Sequence, residues 1–326
     1  MENLFPEVIG QESAKKKLAF YLNSYQSTSI MPNLMLCAPK GQGKSMLAKQ
    51  ACKKLNVIKD GKIVLDEHGK PLLKKAYEIN ASQINTVPVL LATLQQVAID
   101  KDVTLFIDEA HNISRKVTDM LLTLLNPNPS NKNSFTHDDY TCEIDFTRQT
   151  FIFATSESHS VFAPLMDRLT RIDLEDYTLP QLGMIVQKTL PDVEFQEDVL
   201  LDIATVLRGN ARQAVKMAWD IRSYLCGKKE FNKFNWNDLI KLLSILPLGL
   251  SPIELNLLRF MKGNPNGSSL TNLAAKTGLS RDAVQRDYET YLQRHSLMEI
   301  TAGKGRTITS KGLDYLKNYD YSLNIA

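Results

Sequence analysis

Two hydrophobic periods run along this chain. Asn33-Leu34-Met35-Leu36-Cys37, Thr104-Leu105-Phe106-Ile107 and Phe151-Ile152-Phe153-Ala154 are short, nearly unbroken apolar runs, the pattern of strands buried on both faces of a parallel sheet. Met46–Cys52 has helix-forming composition after the first run, and residues 1–30 are a lead-in and an amphipathic helix in which Glu12, Lys15, Lys16 and Lys17 interleave with apolar positions. Strand and helix patterns alternate to about residue 176, which predicts an α/β fold with a mostly parallel sheet and helices on both faces. Residues 177–245 read as helical throughout, in segments split at Pro191 and Gly209, and Leu246-Pro247-Leu248-Gly249-Leu250-Ser251-Pro252 is a Pro/Gly-punctuated joint. Three domains follow: 1–176, 177–247 and 248–326. One stretch departs from a minimal alternation. From Val57 to Ala76, the turn signals Lys59-Asp60-Gly61-Lys62 and Glu67-His68-Gly69-Lys70 flank Ile63-Val64-Leu65, which predicts an inserted hairpin on the surface.

Composition narrows the class only a little. The chain has 326 residues and a net charge of +3, so nucleic-acid binding has to come from local patches rather than a global field. It holds no run of ~20 apolar residues and no basic, apolar leader at Met1-Glu-Asn-Leu-Phe-Pro-Glu, so the expected location is cytoplasmic. Cys37, Cys52, Cys142 and Cys226 are widely spaced, with no CxxC pair, and read as reduced structural thiols.

The chemistry lies at the ends of the apolar runs. Ala38-Pro-Lys-Gly-Gln-Gly-Lys-Ser45 joins the first run to its helix. Its glycines let backbone N–H groups converge on phosphate oxygens at a helix N-terminus, where the dipole also favours negative charge. Lys44 reaches the β- and γ-phosphates in this reading, and Ser45 ligates Mg²⁺. The second run ends in Asp108-Glu109, which would face the same phosphates because ligands of open α/β sheets sit at the carboxyl ends of the strands. Asp108 is expected to hold the metal shell and Glu109 to orient and deprotonate the attacking water. The expected ligands are therefore ATP and Mg²⁺.

Further polar stations follow. The third run ends in Thr155-Ser156, beside the expected γ-phosphate. Ala163–Leu169 is a short helix presenting Arg168, and Arg208-Gly209-Asn210-Ala211-Arg212 opens a later helix. Taken singly, either arginine also reads as a surface ion-pair partner.

Taken in order, these motifs resemble the AAA+ ATPases, and within them the RuvB-like branch-migration family, from about Phe5 to the C-terminus. Val8-Ile9-Gly10-Gln11-Glu12 is similar to the family's adenine-side segment, Asp108-Glu109-Ala110-His111 to its D-E-x-H motif and Ala154-Thr155-Ser156 to sensor 1. Pro164-Leu165-Met166-Asp167-Arg168 resembles the arginine-finger segment, Gly209-Asn210-Ala211-Arg212 sensor 2, and Tyr177-Thr178 the segment whose tyrosine packs near adenine. The resemblance implies an ATP site of Val8, Ile9, Pro39, Lys40, Gly41, Gln42, Gly43, Lys44, Ser45, Met46, Thr155, Ser156, Tyr177 and Arg212, catalysis by Glu109, Lys44 and a trans-acting Arg168, a homohexameric ring, and branched or duplex DNA as partner. It also implies a helical lid after the α/β domain. Ala38 and Lys40 depart from the family's G-P-P-G, Met166 replaces the finger segment's first arginine, and Leu169-Thr170 stands where F-G is usual.

Two regions bear on partners. In 126–148, Tyr140–Phe146 alternates as an exposed hairpin strand does. The resemblance would make it the dock for a RuvA-like junction-binding protein, while the residues alone allow a plain loop with a local strand. Near the C-terminus, Ser268–Ser280 and Arg281–Leu292 read as a helix-turn-helix with Ser280 as N-cap, and the β runs around Ala302-Gly303-Lys304-Gly305 as the wing of a winged helix. Lys304 and Arg306 are the expected DNA contacts. From 251 onward ten Lys/Arg face seven Asp/Glu, so binding would rest on a few phosphate contacts. Winged helices also bind proteins. A processive motor on branched DNA, an initiator or loader that uses ATP as a switch, and a protein-binding scaffold therefore all remain compatible with the residues.

Overall fold

The computed structural model describes residues 4–126, 132–137, 140–145, 148–196 and 198–325, in two compact units: Met1–Pro191 with Gly209–Asp220, and Asp192–Arg208 with Ile221–Ala326. The first unit is built on a five-stranded sheet in the spatial order Lys75–Asn80, Val103–Asp108, Gln149–Thr155, Leu34–Cys37, Thr170–Asp173. Every pairing in it is parallel. The period of two explains why both faces are covered. Leu34, Leu36, Phe106, Ile152 and Ala154 pack with Leu18 and Leu22 of helix Glu12–Thr28 and with Leu47, Ala48 and Ala51 of helix Lys44–Cys52. Met35, Cys37, Leu105, Ile107, Phe151 and Phe153 pack on the other side with Leu90 and Leu94 of helix Val87–Val97 and Val117 and Leu121 of helix Arg115–Leu124. Register then sets the site: Cys37 lies opposite Thr155, and Asp108 opposite Asn80, so the polar strand ends share one edge of the sheet.

The insert is real but shorter than expected. Ile58–Lys59 pairs with Lys62–Ile63, Leu65 bridges Pro71 and Asn56 bridges Leu73, whereas Lys75 and Ala76 already pair with Val103 and Thr104 as the sheet's edge strand. Between 126 and 148, Lys132–His137 and Tyr140–Asp145 form an antiparallel hairpin; Phe146 lies outside the described residues. Among the described residues no helix is long and apolar enough to cross a membrane.

The second unit includes helices Val199–Thr205 and Lys233–Leu243. It is not purely helical, as the spacing suggested: Glu194–Phe195 and Glu230–Phe231 pair in parallel. Aromatic packing holds this short pair, with Phe195 and Tyr224 both against the fully buried Phe231. The boundary between the units runs through the expected lid, leaving Leu179–Thr189 in the first. The winged helix follows: helices Pro252–Lys262 and Leu270–Thr277, a helical stretch from Arg281 to Arg294 with a π-helical middle, the antiparallel wing Met298–Thr301 and Gly305–Ile308, and helix Ser310–Ile325. Leu257, Leu258, Leu273, Val284, Leu292, Leu297 and Leu316 form its core. Ser280 caps as expected, accepting from the Ala283 N–H. Lys304 is exposed at the wing turn. Arg306, by contrast, turns inward and donates through Nε and Nη2 to Glu289 at 2.8 and 3.2 Å, and Glu289 is 1% exposed.

Two outcomes follow for stability. Arg306→Ala leaves the Glu289 carboxylate buried without its cation and should cost about 3–5 kcal/mol of folding stability in urea titrations, whereas Lys304→Ala should cost nothing measurable. Lys74 is buried, with Nζ 3.2 Å from Thr150 Oγ1 and over the Tyr25 ring, and burial pushes its ammonium down to about 8. The unfolded chain, with lysine near 10.4, binds more protons between those values, so this penalty is full below pH 8 and is relieved as pH rises from about 8 towards 10. Wild-type stability should therefore gain on Lys74→Met as pH increases across that window, and parallel pH curves would refute the effect.

Candidate active site

The loop after Leu34–Cys37 is shaped by what its glycines lack. Gly41 and Gly43 have φ of +85° and +88°; a Cβ on Gly41 would stand 2.0 Å from Asn210 Oδ1, and one on Gly43 2.8 Å from Tyr177 Oη. The Tyr177 hydroxyl donates to Gln42 O at 3.2 Å, Asn210 Nδ2 to Lys40 O at 3.2 Å, and the Ala211 N–H to Gly41 O at 3.0 Å. Gln42 is buried, with Nε2 on Asp176 Oδ1 and Gly209 O. Ala38, where the motif's first glycine is usual, is buried and extends the strand, its N–H donating to Thr155 O; no left-handed φ is needed there. Lys44 opens the helix with its ammonium turned back onto Ala38 O and Pro39 O at 2.6 and 2.9 Å. Burial pulls its pKa below the ordinary lysine range; Glu109 and Asp108 oppose that shift, and Arg212 adds to it. A glycine turn at a helix N-terminus with a buried ammonium is chemically matched to phosphate.

The carboxylates stand across from this turn. Ser45 Oγ donates to Asp108 Oδ2 at 2.8 Å. The two are hard oxygen donors, suited to a Mg²⁺ ion that completes its shell with water and phosphate. Glu109 has φ +55°, and its N–H donates to Asp108 Oδ1 at 2.9 Å. One of its oxygens, Oε2, accepts from Ser156 Oγ at 3.2 Å and lies 3.3 Å from His111 Nε2. The other ring nitrogen of His111 is 3.1 Å from Thr155 Oγ1, which also accepts from the Glu157 N–H. His111 therefore bridges the fully buried Thr155 to Glu109.

The remaining expected residues fall in different places. Val8 is buried and Ile9 half-buried in a lead-in that Gln11 straps to both backbone groups of Glu175. Pro39, Lys40 and Met46 are exposed, and Arg212 is exposed in the first turn of helix Ala211–Leu225. Arg168 bonds within its own turn, Nη1 to Pro164 O at 2.9 Å, and its buried Nε has no hydrogen-bond partner among the described residues. Lys304 and Arg306 belong to the second unit. Sequence reasoning passed over His111 as a site residue, although it completes the quoted D-E-x-H, and over Asn210, whose hold on the loop no spacing reveals.

Known proteins resemble this chain in sequence and fold. The family profile of ATPases associated with various cellular activities (AAA) matches residues 34–177, and that of the RuvB C-terminal winged helix domain matches residues 247–317. The Holliday junction branch migration complex subunit RuvB of Wolbachia strain wRi is 28% identical over 338 residues, covering 96% of this chain and 94% of that protein. RuvB of Thermotoga maritima is 27% identical over 331 residues, covering 95% and 90%. A solved structure of a Thermotoga maritima RuvB mutant superimposes with a TM-score of 0.74 at 25% identity, covering 97% of this chain and 98% of that one. Phosphate loop, acidic strand end, parallel sheet and winged helix thus occur together in one order, and the chain is a divergent RuvB-like AAA+ ATPase.

Proposed function

We propose that this chain is the ATP-hydrolysing subunit of a homohexameric ring that draws duplex DNA and drives branch migration at four-way junctions. The observation that carries the reading is that likeness to RuvB runs through the ATPase core and the winged helix alike, covering 96% of the chain. Lys44 and the loop N–H groups bind the β- and γ-phosphates of ATP, with Val8, Ile9 and Tyr177 on the adenine side. Ser45 and Asp108 would hold Mg²⁺, which when bound neutralises phosphate charge. Glu109 takes a proton from the attacking water. Ser156 and His111 both engage Oε2 of this carboxylate, so these two side chains orient the base towards that water. Arg168, whose Nε has no hydrogen-bond partner among the described residues, serves a neighbouring subunit's phosphates, and Arg212 reports the nucleotide to the helix it opens. Lys304 meets a DNA phosphate at the wing turn. The hairpin Lys132–His137 and Tyr140–Asp145 is the proposed dock for a RuvA-like partner.

The direct test is ATP turnover with and without a synthetic four-way junction, with strand dissociation followed in parallel. Junction-stimulated hydrolysis with dissociation is expected. Slow hydrolysis with no dissociation, and stable ATP-dependent delivery of another protein, would favour a loader. Glu109→Gln should lower turnover by about 10²–10⁴-fold while binding of a fluorescent ATP analogue is unchanged. Arg168→Ala should lose on the order of 10³-fold, and mixing it with Glu109→Gln should restore part of the activity, because an intact base and an intact finger then meet at some interfaces. Failure of the mixture to recover activity would place Arg168 in its own subunit's site.

A further inference from the structure

Helix Val199–Thr205 runs into Arg208 and Gly209, consecutive residues with φ of +56° and +69°. The first compact unit resumes at Gly209, and the next residues, Asn210 and Ala211, bond to Lys40 O and Gly41 O of the phosphate loop. Arg208 thus sits one bond from the turn that reads the nucleotide site. A left-handed φ is unfavourable for a residue with a Cβ, so strong contacts must hold Arg208 where it is.

Those contacts all lie in the winged-helix unit. Nη1 and Nη2 donate to Glu254 Oε2 and Oε1 at 2.8 and 2.9 Å, a bidentate pair, and the guanidinium carbon lies 3.7 Å from the centre of the Tyr291 ring. Glu254 is 0% exposed. Its Oε2 also accepts from the N–H and hydroxyl of Ser251, closing the capping box of helix Pro252–Lys262, the first of the winged helix. The joint before it is clasped from both sides. The Tyr291 hydroxyl donates to Leu248 O at 2.6 Å and that of Tyr315 to Pro247 O at 2.9 Å. Gly249 passes so near the lid backbone that a Cβ on it would be 2.1 Å from Val206 O. A Pro/Gly joint of this composition would be a swivel if nothing gripped it. Here a charge-assisted fork, a ring face and a backbone approach grip it together.

We propose that Arg208 is a positioning residue that locks the winged helix to the lid segment ending at the nucleotide-reading turn, so that nucleotide state moves the DNA-binding wing as a rigid extension of that turn. This deepens the motor reading and rests on it. It assigns Arg208 no contact with nucleotide or DNA. Its role is to keep lid and wing from moving independently, so that movement at Asn210 and Arg212 is delivered to the wing rather than lost in the joint.

The test uses the full chain with spin labels at Leu242→Cys, on lid helix Lys233–Leu243, and Glu299→Cys, on the wing, with Cys142 and Cys226 changed to Ser. The label-to-label distance distribution is measured with ADP, with a non-hydrolysable ATP analogue and without nucleotide, and turnover is measured with and without a four-way junction. The parent should give one narrow distance in all three states. Arg208→Ala should broaden it, leave basal turnover within about a factor of two and cut the DNA stimulation by about 5–150-fold, the size of a coupling of 1–3 kcal/mol. Glu254→Gln keeps a capping side chain while removing the charge, and it should reproduce both effects if Arg208→Ala does not fold. A narrow distance and intact stimulation in folded Arg208→Ala or Glu254→Gln protein would overturn the proposal. If the parent shows no DNA stimulation, the motor reading fails, and the width of the distance distribution alone decides whether Arg208 locks the joint.

Discussion

Gly41 and Gly43 leave room where any other residue would place a Cβ, and that room is taken by Asn210 and Tyr177. The candidate site depends on this close approach. It brings the chain before and after helix Leu179–Thr189 against the same loop, Tyr177 through Gln42 and Asn210 through Lys40. A side chain at either glycine would push away the residues positioned to respond to whatever the loop binds. The same crowding explains why a loop whose first usual glycine is Ala38 remains serviceable: the left-handed φ angles fall at Gly41 and Gly43, not at Ala38.

Charge is arranged around that loop in a way that is uncomfortable without a polyanion. Burial works against the Lys44 ammonium; Glu109 and Asp108 favour it, while Arg212 opposes it. Phosphate would supply the missing negative charge in a partly desolvated place, where each electrostatic contact is stronger than in water. Meanwhile Glu109 is held by Ser156 and His111, and His111 in turn by the buried Thr155. The carboxylate that would activate water is therefore connected to the strand end that would sense the γ-phosphate, through one imidazole.

Much of this was legible in the sequence, and the reasons differ by element. Strands buried on both faces show as unbroken apolar runs, so Leu34–Cys37, Val103–Asp108 and Gln149–Thr155 stood out, and strand-end chemistry followed from topology. Short elements held by tertiary packing did not stand out. The Glu194–Phe195 and Glu230–Phe231 pair exists because three aromatic rings meet, which no local period reports. Arg306 carried the right charge at the right place on a wing, yet its guanidinium is committed to Glu289, a buried acid at the end of the π-helical stretch Val284–Glu289. His111 and Asn210 were visible as letters within motifs, but their partners lie 44 and 170 residues away in the chain, and only the fold brings them into contact.

Movement of branched DNA by ATP hydrolysis at this site is best measured on a single four-way junction held under constant force while the protein and ATP are supplied. Steady, ATP-dependent change in the lengths of the opposing arms, halted by Glu109→Gln, is expected. Continued ATP hydrolysis on a junction whose arms do not change length would contradict it.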